Sequence, residues 1–274
     1  MLAATALLLL GCSADSATAA PGDTTRVEEP QASTQVDTVF YDGFESGSLS
    51  LWQDGVDPAK HRVITDAALA ASGQRTLRVT VPPGGDGGWL TRFFMPGYDS
   101  LFVRLRVRFD PAWTGGIKLL SLRGSRTDNQ WSGFGNAGRC PNGTDFFSGN
   151  LTLSADRAPG PLLFYAYYPG MPSSGGSCWG DEGRTATYPS PNMAFSKGTW
   201  HTVEYWIKLN TPGQANSVQR LWLDGQLWGE WSGIPFRTSS ILMLNSVQLN
   251  LGATTTTGGS LYFDDILVTR QRLR

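Results

Sequence analysis

Residues 101–109 read Leu-Phe-Val-Arg-Leu-Arg-Val-Arg-Phe. Leu101, Val103, Leu105, Val107 and Phe109 alternate with Phe102, Arg104, Arg106 and Arg108. Only extended backbone sends successive side chains to opposite faces, so this is a strand with one apolar face and one largely cationic face. The same period recurs where Val203, Tyr205, Ile207 and Leu209 alternate with Thr202, Glu204, Trp206 and Lys208. Val218–Asp224 and Gln226–Trp231 flank Asp224-Gly225, a dipeptide that tolerates the positive φ of a tight hairpin turn. Further strands are expected at Thr38–Tyr41, Arg62–Thr65, Thr76–Val81, Trp89–Phe94, Ile117–Leu122, Leu151–Ser154, Leu162–Tyr168, Ile241–Leu251 and Ser260–Thr269. No helical period persists for more than a turn or two. Many short strands with turn residues between them mean an all-β sandwich or barrel.

The composition agrees. The 274 residues include 33 Gly, 16 Pro and 10 Trp, with only 16% charged, which suits turns and pleated surfaces. A formal net charge of −1 argues against nucleic acid as a partner, because phosphate binding requires a basic balance.

Leu2 to Leu10 form an apolar run ending in Leu9-Leu10-Gly11-Cys12. The run is too short to span a bilayer and reads as the core of an export signal. Its ending resembles a bacterial lipobox, which marks residues 1–12 as a lipoprotein-type signal and Cys12 as the lipidated residue. No Lys or Arg precedes the run, and an ordinary secretory signal with an incidental cysteine is the alternative. Residues 13–36 are small, polar and Pro-containing, a tether that cannot bury enough apolar surface to fold. The folded domain is then residues 37–274. The expected location is outside the cytoplasm: an outer-membrane lipoprotein, periplasmic or on the cell surface, touching membrane only through its anchor.

Two stretches, from about Gly124 to Gly149 and from Pro169 to Ser196, are long, Gly-rich and poor in aliphatic residues. Loops of that length in a compact domain tend to be functional. Each carries one cysteine, Cys140 and Cys178. An oxidising compartment makes a disulfide between them the expected state, tying two rims of one cleft. Zinc is the weaker alternative, since neither His61 nor His201 is nearby in sequence.

Several segments resemble a known family. Tyr41-Asp42-Gly43-Phe44-Glu45-Ser46-Gly47 and Tyr262-Phe263-Asp264-Asp265-Ile266 are similar to the first and last strands of jelly-roll β-sandwiches of the concanavalin A-like lectin/glucanase type. Gly198-Thr199-Trp200-His201, Leu209-Asn210-Thr211-Pro212-Gly213 and Leu221-Trp222-Leu223-Asp224-Gly225 resemble the C-terminal half of family 14 polysaccharide lyases. Leu163-Phe164-Tyr165-Ala166-Tyr167-Tyr168 resembles the strand that carries that family's catalytic tyrosines. The resemblance implies a catalytic set of Lys118, Tyr165, Tyr167 and Asn150. Asn150 stands in Ser148-Gly149-Asn150, where the family has Ser-x-Arg, and it keeps a donor but loses the charge. It also implies a structural Ca²⁺ where the first and last strands meet, held by Glu45, Asp264 and Asp265. Catalysis would need no cofactor.

These residue types suit β-elimination from a uronic acid. The C5 proton is weakly acidic, so the adjoining carboxylate must be neutralised, while tyrosine or lysine moves protons. Tyr165 and Tyr167 are two apart on one strand and share a face. A sandwich glycosidase would instead need two suitably spaced carboxylates, and no Glu-x-Asp-x-Glu run is present. A non-catalytic carbohydrate-binding or surface structural module is the rival reading. In either reading the partner is a polysaccharide or oligosaccharide. Trp131 and Trp179, in the Gly-rich loops, are the candidates for stacking on its rings, with Ser148 beside them.

Overall fold

The computed structural model describes residues 37–154, 160–183, 186–188, 195–252 and 258–273. Cys12, the signal segment 1–12 and the tether 13–36 lie outside the described residues.

Among the described residues there are thirteen strands and no helix. They are β1 (Thr38–Asp42), β2 (His61–Thr65), β3 (Arg75–Val81), β4 (Trp89–Tyr98), β5 (Ser100–Phe109), β6 (Ile117–Arg126), β7 (Phe147–Leu153), β8 (Leu162–Tyr167), β9 (Trp200–Lys208), β10 (Val218–Leu223), β11 (Gln226–Ser232), β12 (Leu242–Asn250) and β13 (Gly259–Thr269). An eight-stranded antiparallel sheet runs β11-β10-β9-β5-β13-β3-β2, and β1 also pairs with β13. A five-stranded sheet runs β4-β12-β6-β7-β8. The strands cross between sheets as in a jelly-roll β-sandwich.

The alternation of β5 acts as expected. Leu101, Val103, Leu105, Val107 and Phe109 are completely buried between the sheets, while Arg104, Arg106 and Arg108 face outward. Asp224 and Gly225 both adopt positive φ, 50° and 79°, and Leu223 pairs with Gln226 across the turn. The five-stranded sheet supplies Leu120, Leu122, Leu151, Phe164, Val247 and Leu249 to the same core. Gly149 faces inward here, and a Cβ on it would lie 2.3 Å from the Tyr205 hydroxyl of the opposing sheet. The two sheets therefore approach closely behind β7.

Three strands outrun their expected ends. β4 continues to Tyr98, β6 to Arg126, and β7 begins at Phe147. These extensions pair with each other or with β12, as in Gly124↔Phe147 and Leu242↔Arg126. Gly124 breaks the apolar alternation because the Phe147 ring fills the space a side chain would take, 2.0 Å from a built Cβ.

The carboxylates at the join of the terminal strands accept hydrogen bonds from the protein. Glu45 Oε1 accepts the amides of Gln74 and Arg75. Asp264 Oδ2 accepts those of Ala71 and Ser72, and Asp265 Oδ1 accepts the hydroxyls of Tyr41 and Ser72. Among the described residues no group of three or more His, Cys, Asp or Glu converges as a metal site. The expected Ca²⁺ ligands instead bind loop backbone to the sheet. Asp264 is fully buried, and that burial pushes its pKa up to about 6.

Candidate active site

Strand register assembles the site on the outward face of the five-stranded sheet. Gln248, Ser121, Asn150 and Tyr165 are successive cross-strand partners from β12 through β6 and β7 to β8. The neighbouring row of the same face holds Ser246, Arg123, Ser148 and Tyr167. A bulge between Lys118 and Leu120 brings Lys118 opposite Thr152, onto this face. On β8 the inward positions are Phe164 and Ala166, both fully buried, which leaves Tyr165 and Tyr167 facing the cleft.

The resulting cleft, about 200 Å³, is lined by Lys118, Arg123, Ser148, Asn150, Tyr165 and Tyr167, with Asn136 and Asn250 at its margins. Lys118, Asn150, Tyr165 and Tyr167, chosen from sequence, are thus brought together. Lys118 Nζ lies 5.1 Å from the Tyr165 ring centroid. The two tyrosine rings meet edge-on at 5.9 Å, and their side chains hydrogen-bond. Burial, followed by that hydrogen bond, holds the Tyr165 hydroxyl well above the ordinary tyrosine pKa, so it stays protonated. Burial lowers the pKa of Lys118, and the neighbouring Arg123 charge lowers it further.

Asn150 stands in the cleft wall with its amide engaged by the protein. Its side chain is buried, its Nδ2 donates to Ser148 Oγ (3.0 Å) and the Tyr165 carbonyl (2.7 Å), and its Oδ1 accepts from Ser121 Oγ (2.5 Å). Its hydrogen bonds tie β6, β7 and β8 together and so position Tyr165, while Asn150 itself lines the cleft.

The guanidinium missing at position 150 comes from the adjacent strand. Arg123 is the direct cross-strand partner of Ser148. Its Nε donates to Gln248 Oε1 (2.9 Å), its Nη1 donates to the Gly133 carbonyl (3.1 Å), and its plane lies 5.1 Å from the Phe134 ring. Burial pushes its pKa down to about 10, so it remains a cation at neutral pH, coupled electrostatically to Tyr167. Sequence reading overlooked Arg123 because its strand was expected to stop at Leu122. The available signal was Ser121-Leu122-Arg123, a second Ser-x-Arg in the strand that bears Lys118. Two cations and two phenols face this cleft, and among the described residues no carboxylate lines it, although the Glu182 charge acts on Tyr165. The arrangement suits an acidic ligand and lacks the acid pair of a glycosidase.

A second recess, about 450 Å³, adjoins the first through Arg123 and Asn250 and reaches Trp89, Trp131 and Phe134. Trp131 is half exposed and packs edge-on against Phe93 at 5.0 Å, which leaves a ring face open along the cleft's extension. Trp179 is 60% exposed and stands near Gly138, outside both recesses.

Cys140 and Cys178 form the expected disulfide, and the loops around them also pair, Gly138 with Cys178, through two backbone hydrogen bonds of 3.1 Å. Cys178 packs with Phe146, Tyr167 and Met171, so the bridge braces the wall that carries Tyr167. The same loop passes over Tyr165 at Gly180, whose φ is 91° and whose built Cβ would lie 2.2 Å from the tyrosine ring. The disulfide closes a loop separated by 38 positions, for which chain entropy suggests about 3–4 kcal/mol of stabilisation. The Cys140→Ser/Cys178→Ser variant should therefore unfold at clearly lower urea than the oxidised wild type. An unchanged midpoint would show that the loop pairing alone holds this wall.

The histidines are structural. His201 Nδ1 lies 2.7 Å from Asp224 and its Nε2 accepts the Ser196 amide, while His61 Nδ1 accepts the Asp57 amide.

Comparison with known proteins agrees with this geometry. The chain resembles the marine PL-14 alginate lyase from Aplysia kurodai, with TM-score 0.63 and 17% identity over 86% of this chain and 98% of that one. It resembles an alginate lyase from Chlorella virus, with TM-score 0.64 and 14% identity over 86% and 100% of the two chains. It also resembles an endo-β-1,4-glucuronan lyase from the fungus Trichoderma reesei, with TM-score 0.57 and 15% identity over 85% and 96%. At such identities these likenesses establish the jelly-roll fold. No curated protein sequence matches. The profile described as polysaccharide lyase 14 matches residues 95–260, more than half of the chain and all of the strands that carry Lys118, Arg123, Tyr165 and Tyr167. By that match the chain belongs to the polysaccharide lyase 14 family.

Proposed function

We propose that this protein cleaves a uronic-acid-containing polysaccharide by β-elimination. The observation that carries the reading is the cleft itself: Lys118, Arg123, Tyr165 and Tyr167 converge on one sheet face with no carboxylate among them. Arg123 and Lys118 hold the uronate carboxylate and stabilise the charge that grows on it as the C5–H bond breaks. Tyr167, acting as its phenolate beside the Arg123 cation, accepts the C5 proton and becomes the phenol. Tyr165, kept protonated by its burial, gives its proton to O4 as the C4–O4 bond breaks, and the electron pair of the C5–H bond becomes the C4–C5 double bond. Structural neighbours named as alginate and glucuronan lyases support a polyuronate as the substrate class.

The direct test is incubation with alginate and glucuronan, followed by ultraviolet absorbance of the C4–C5 double bond conjugated to the product carboxylate. Absorbance growth supports elimination. Binding of the polymers without absorbance would favour the carbohydrate-binding module, for which the half-exposed Trp131 beside the cleft is the supporting observation.

The pH dependence follows from Lys118. Its lowered pKa means that its charge is lost at a lower pH than for an exposed lysine. KM for acidic polymer should rise on the alkaline side as that charge disappears. Lys118→Arg should move the rise to higher pH, and an unmoved limb would assign the titration to another group.

The sequence supports export on a lipid anchor at Cys12. Cys12→Ala would then shift the protein out of the membrane fraction, and unchanged partition would mean another attachment.

A further inference from the structure

The outward face of the eight-stranded sheet, on the far side of the sandwich from the cleft, carries a cluster of five arginines on β2, β3 and β5, apart from Arg220 on β10. Arg104, Arg106 and Arg108 alternate along β5, Arg78 lies on β3 and Arg62 on β2. Register places Arg62, Arg78, Tyr262, Arg108 and Trp200 in one row across five strands. Neighbouring strands are about 4.8 Å apart and alternate residues of one strand about 7 Å apart, so the guanidinium stems form a regular grid.

Among the described residues none of these five arginines pairs with a carboxylate. Two acids lie opposite them but are engaged elsewhere. Asp264, opposite Arg106, accepts the amides of Ala71 and Ser72. Glu204, opposite Arg104, is paired with Arg272 at 2.7 Å. Arg62 donates through Nε to the Pro58 carbonyl at 3.3 Å. The Nε atoms of Arg78, Arg106 and Arg108 and the indole nitrogen of Trp200 are buried without a hydrogen-bond partner. At the other end of the same face pairing is the rule, since Arg220 holds Glu230 and Arg272 holds Glu204, and beside it Arg270 holds Asp37. Like charges directly opposite each other, as in Arg62↔Arg78, destabilise a sheet, and buried unpartnered donors add to that cost. A ligand that supplies regularly repeated negative charge removes both penalties.

We propose that this arginine face is a second binding surface for an anionic polysaccharide chain, separate from the cleft. An extended polyuronate presents a carboxylate on every ring, which guanidinium groups hold through paired hydrogen bonds. The half-buried indole of Trp200 at the end of the row offers an apolar ring face for sugar C–H groups. The choice of a polyuronate rests on the lyase reading of the cleft. Attachment here raises the local concentration of polymer around the cleft, an advantage that oligomers too short to reach both faces do not share.

The test uses the whole protein with Tyr165→Phe to prevent cleavage, and measures its retardation in gels containing alginate, glucuronan or a neutral glucan. Arg78→Gln/Arg108→Gln should weaken retention by the acidic polymers about tenfold, given the strength of hydrogen bonds to charged groups. Arg78→Lys/Arg108→Lys should keep part of it, and neutral glucan should retain neither form. Arg62→Gln, at an exposed position, gives the same sign should the double variant fold poorly. In the otherwise wild-type chain, the glutamine variants should raise KM for polymer and leave KM for trisaccharide unchanged. Unchanged retention of folded glutamine variants would overturn the proposal, as would equal retention by neutral glucan. Displacement of polyuronate by anionic vesicles or DNA at lower concentration would also overturn it. A protein without lyase activity that still shows arginine-dependent retention would refute the cleft reading and leave this surface standing.

Discussion

Tyr165→Phe should lower kcat on an acidic polymer by about 10²–10⁴-fold, the range expected when a general acid is removed. The ring stays, so Lys118 keeps its position over it and the Gly180 loop keeps its contact. What disappears is the hydroxyl that hydrogen-bonds Tyr167 and that burial keeps protonated. Tyr167→Phe should produce a loss of similar size by removing the acceptor of the C5 proton. Polymer affinity, measured by gel retardation, should hardly move in either variant. That split between turnover and binding separates an acid–base role from a stacking role, in which Phe is tolerated and Ala is not. Turnover that survives in both variants would remove the pair from the mechanism.

Arg123→Gln should lower kcat/KM by about 10²–10³-fold, comparable to loss of one donor from a preorganised anion site. The loss should fall on both kcat and KM, because the carboxylate carries charge before the transition state and gains more in it. Arg123→Lys should recover part of it. The substitution also frees Gln248 Oε1 and the Gly133 carbonyl, so a stability loss of about 1–3 kcal/mol is expected and is read separately by urea melting. Asn150→Ala serves as the comparison. Asn150 lines the cleft with its amide already engaged by Ser121, Ser148 and Tyr165, so its loss should lower kcat with little change in KM. If Asn150→Ala proved the more damaging to KM, the charge assignment would belong at position 150 after all.

The tyrosine strand β8 was readable because its alternation is unambiguous: Phe164 and Ala166 go inward, so Tyr165 and Tyr167 cannot. Lys118 was reached through family resemblance, since its own strand gives a misleading phase. The bulge between Lys118 and Leu120 shifts the faces by one, and a bulge leaves no mark in the residue pattern. Arg123 was missed for a related reason. The far half of β6, Arg123-Gly124-Ser125-Arg126, contains no aliphatic residue, and it is held as a strand by partners on β7 and β12. The amides and hydroxyls aimed at Glu45, Asp264 and Asp265 come largely from loops whose path no local rule sets.

The two-layer sandwich was reached through family resemblance, while the sequence by itself determined the all-β class, the hairpin at Asp224-Gly225, the tyrosine face of β8 and the pairing of Cys140 with Cys178. Each follows from short-range alternation, turn stereochemistry or the small number of available partners. Tertiary structure alone decided the rest. It set the guanidinium of Arg123 opposite Ser148, left Asn150 as a tie between strands, directed amide hydrogens at the proposed calcium ligands and left the β5 arginines without acids. The reason is that charge and hydrogen-bond pairing depend on register between strands far apart in the chain, and register is fixed only when both sheets close on one core.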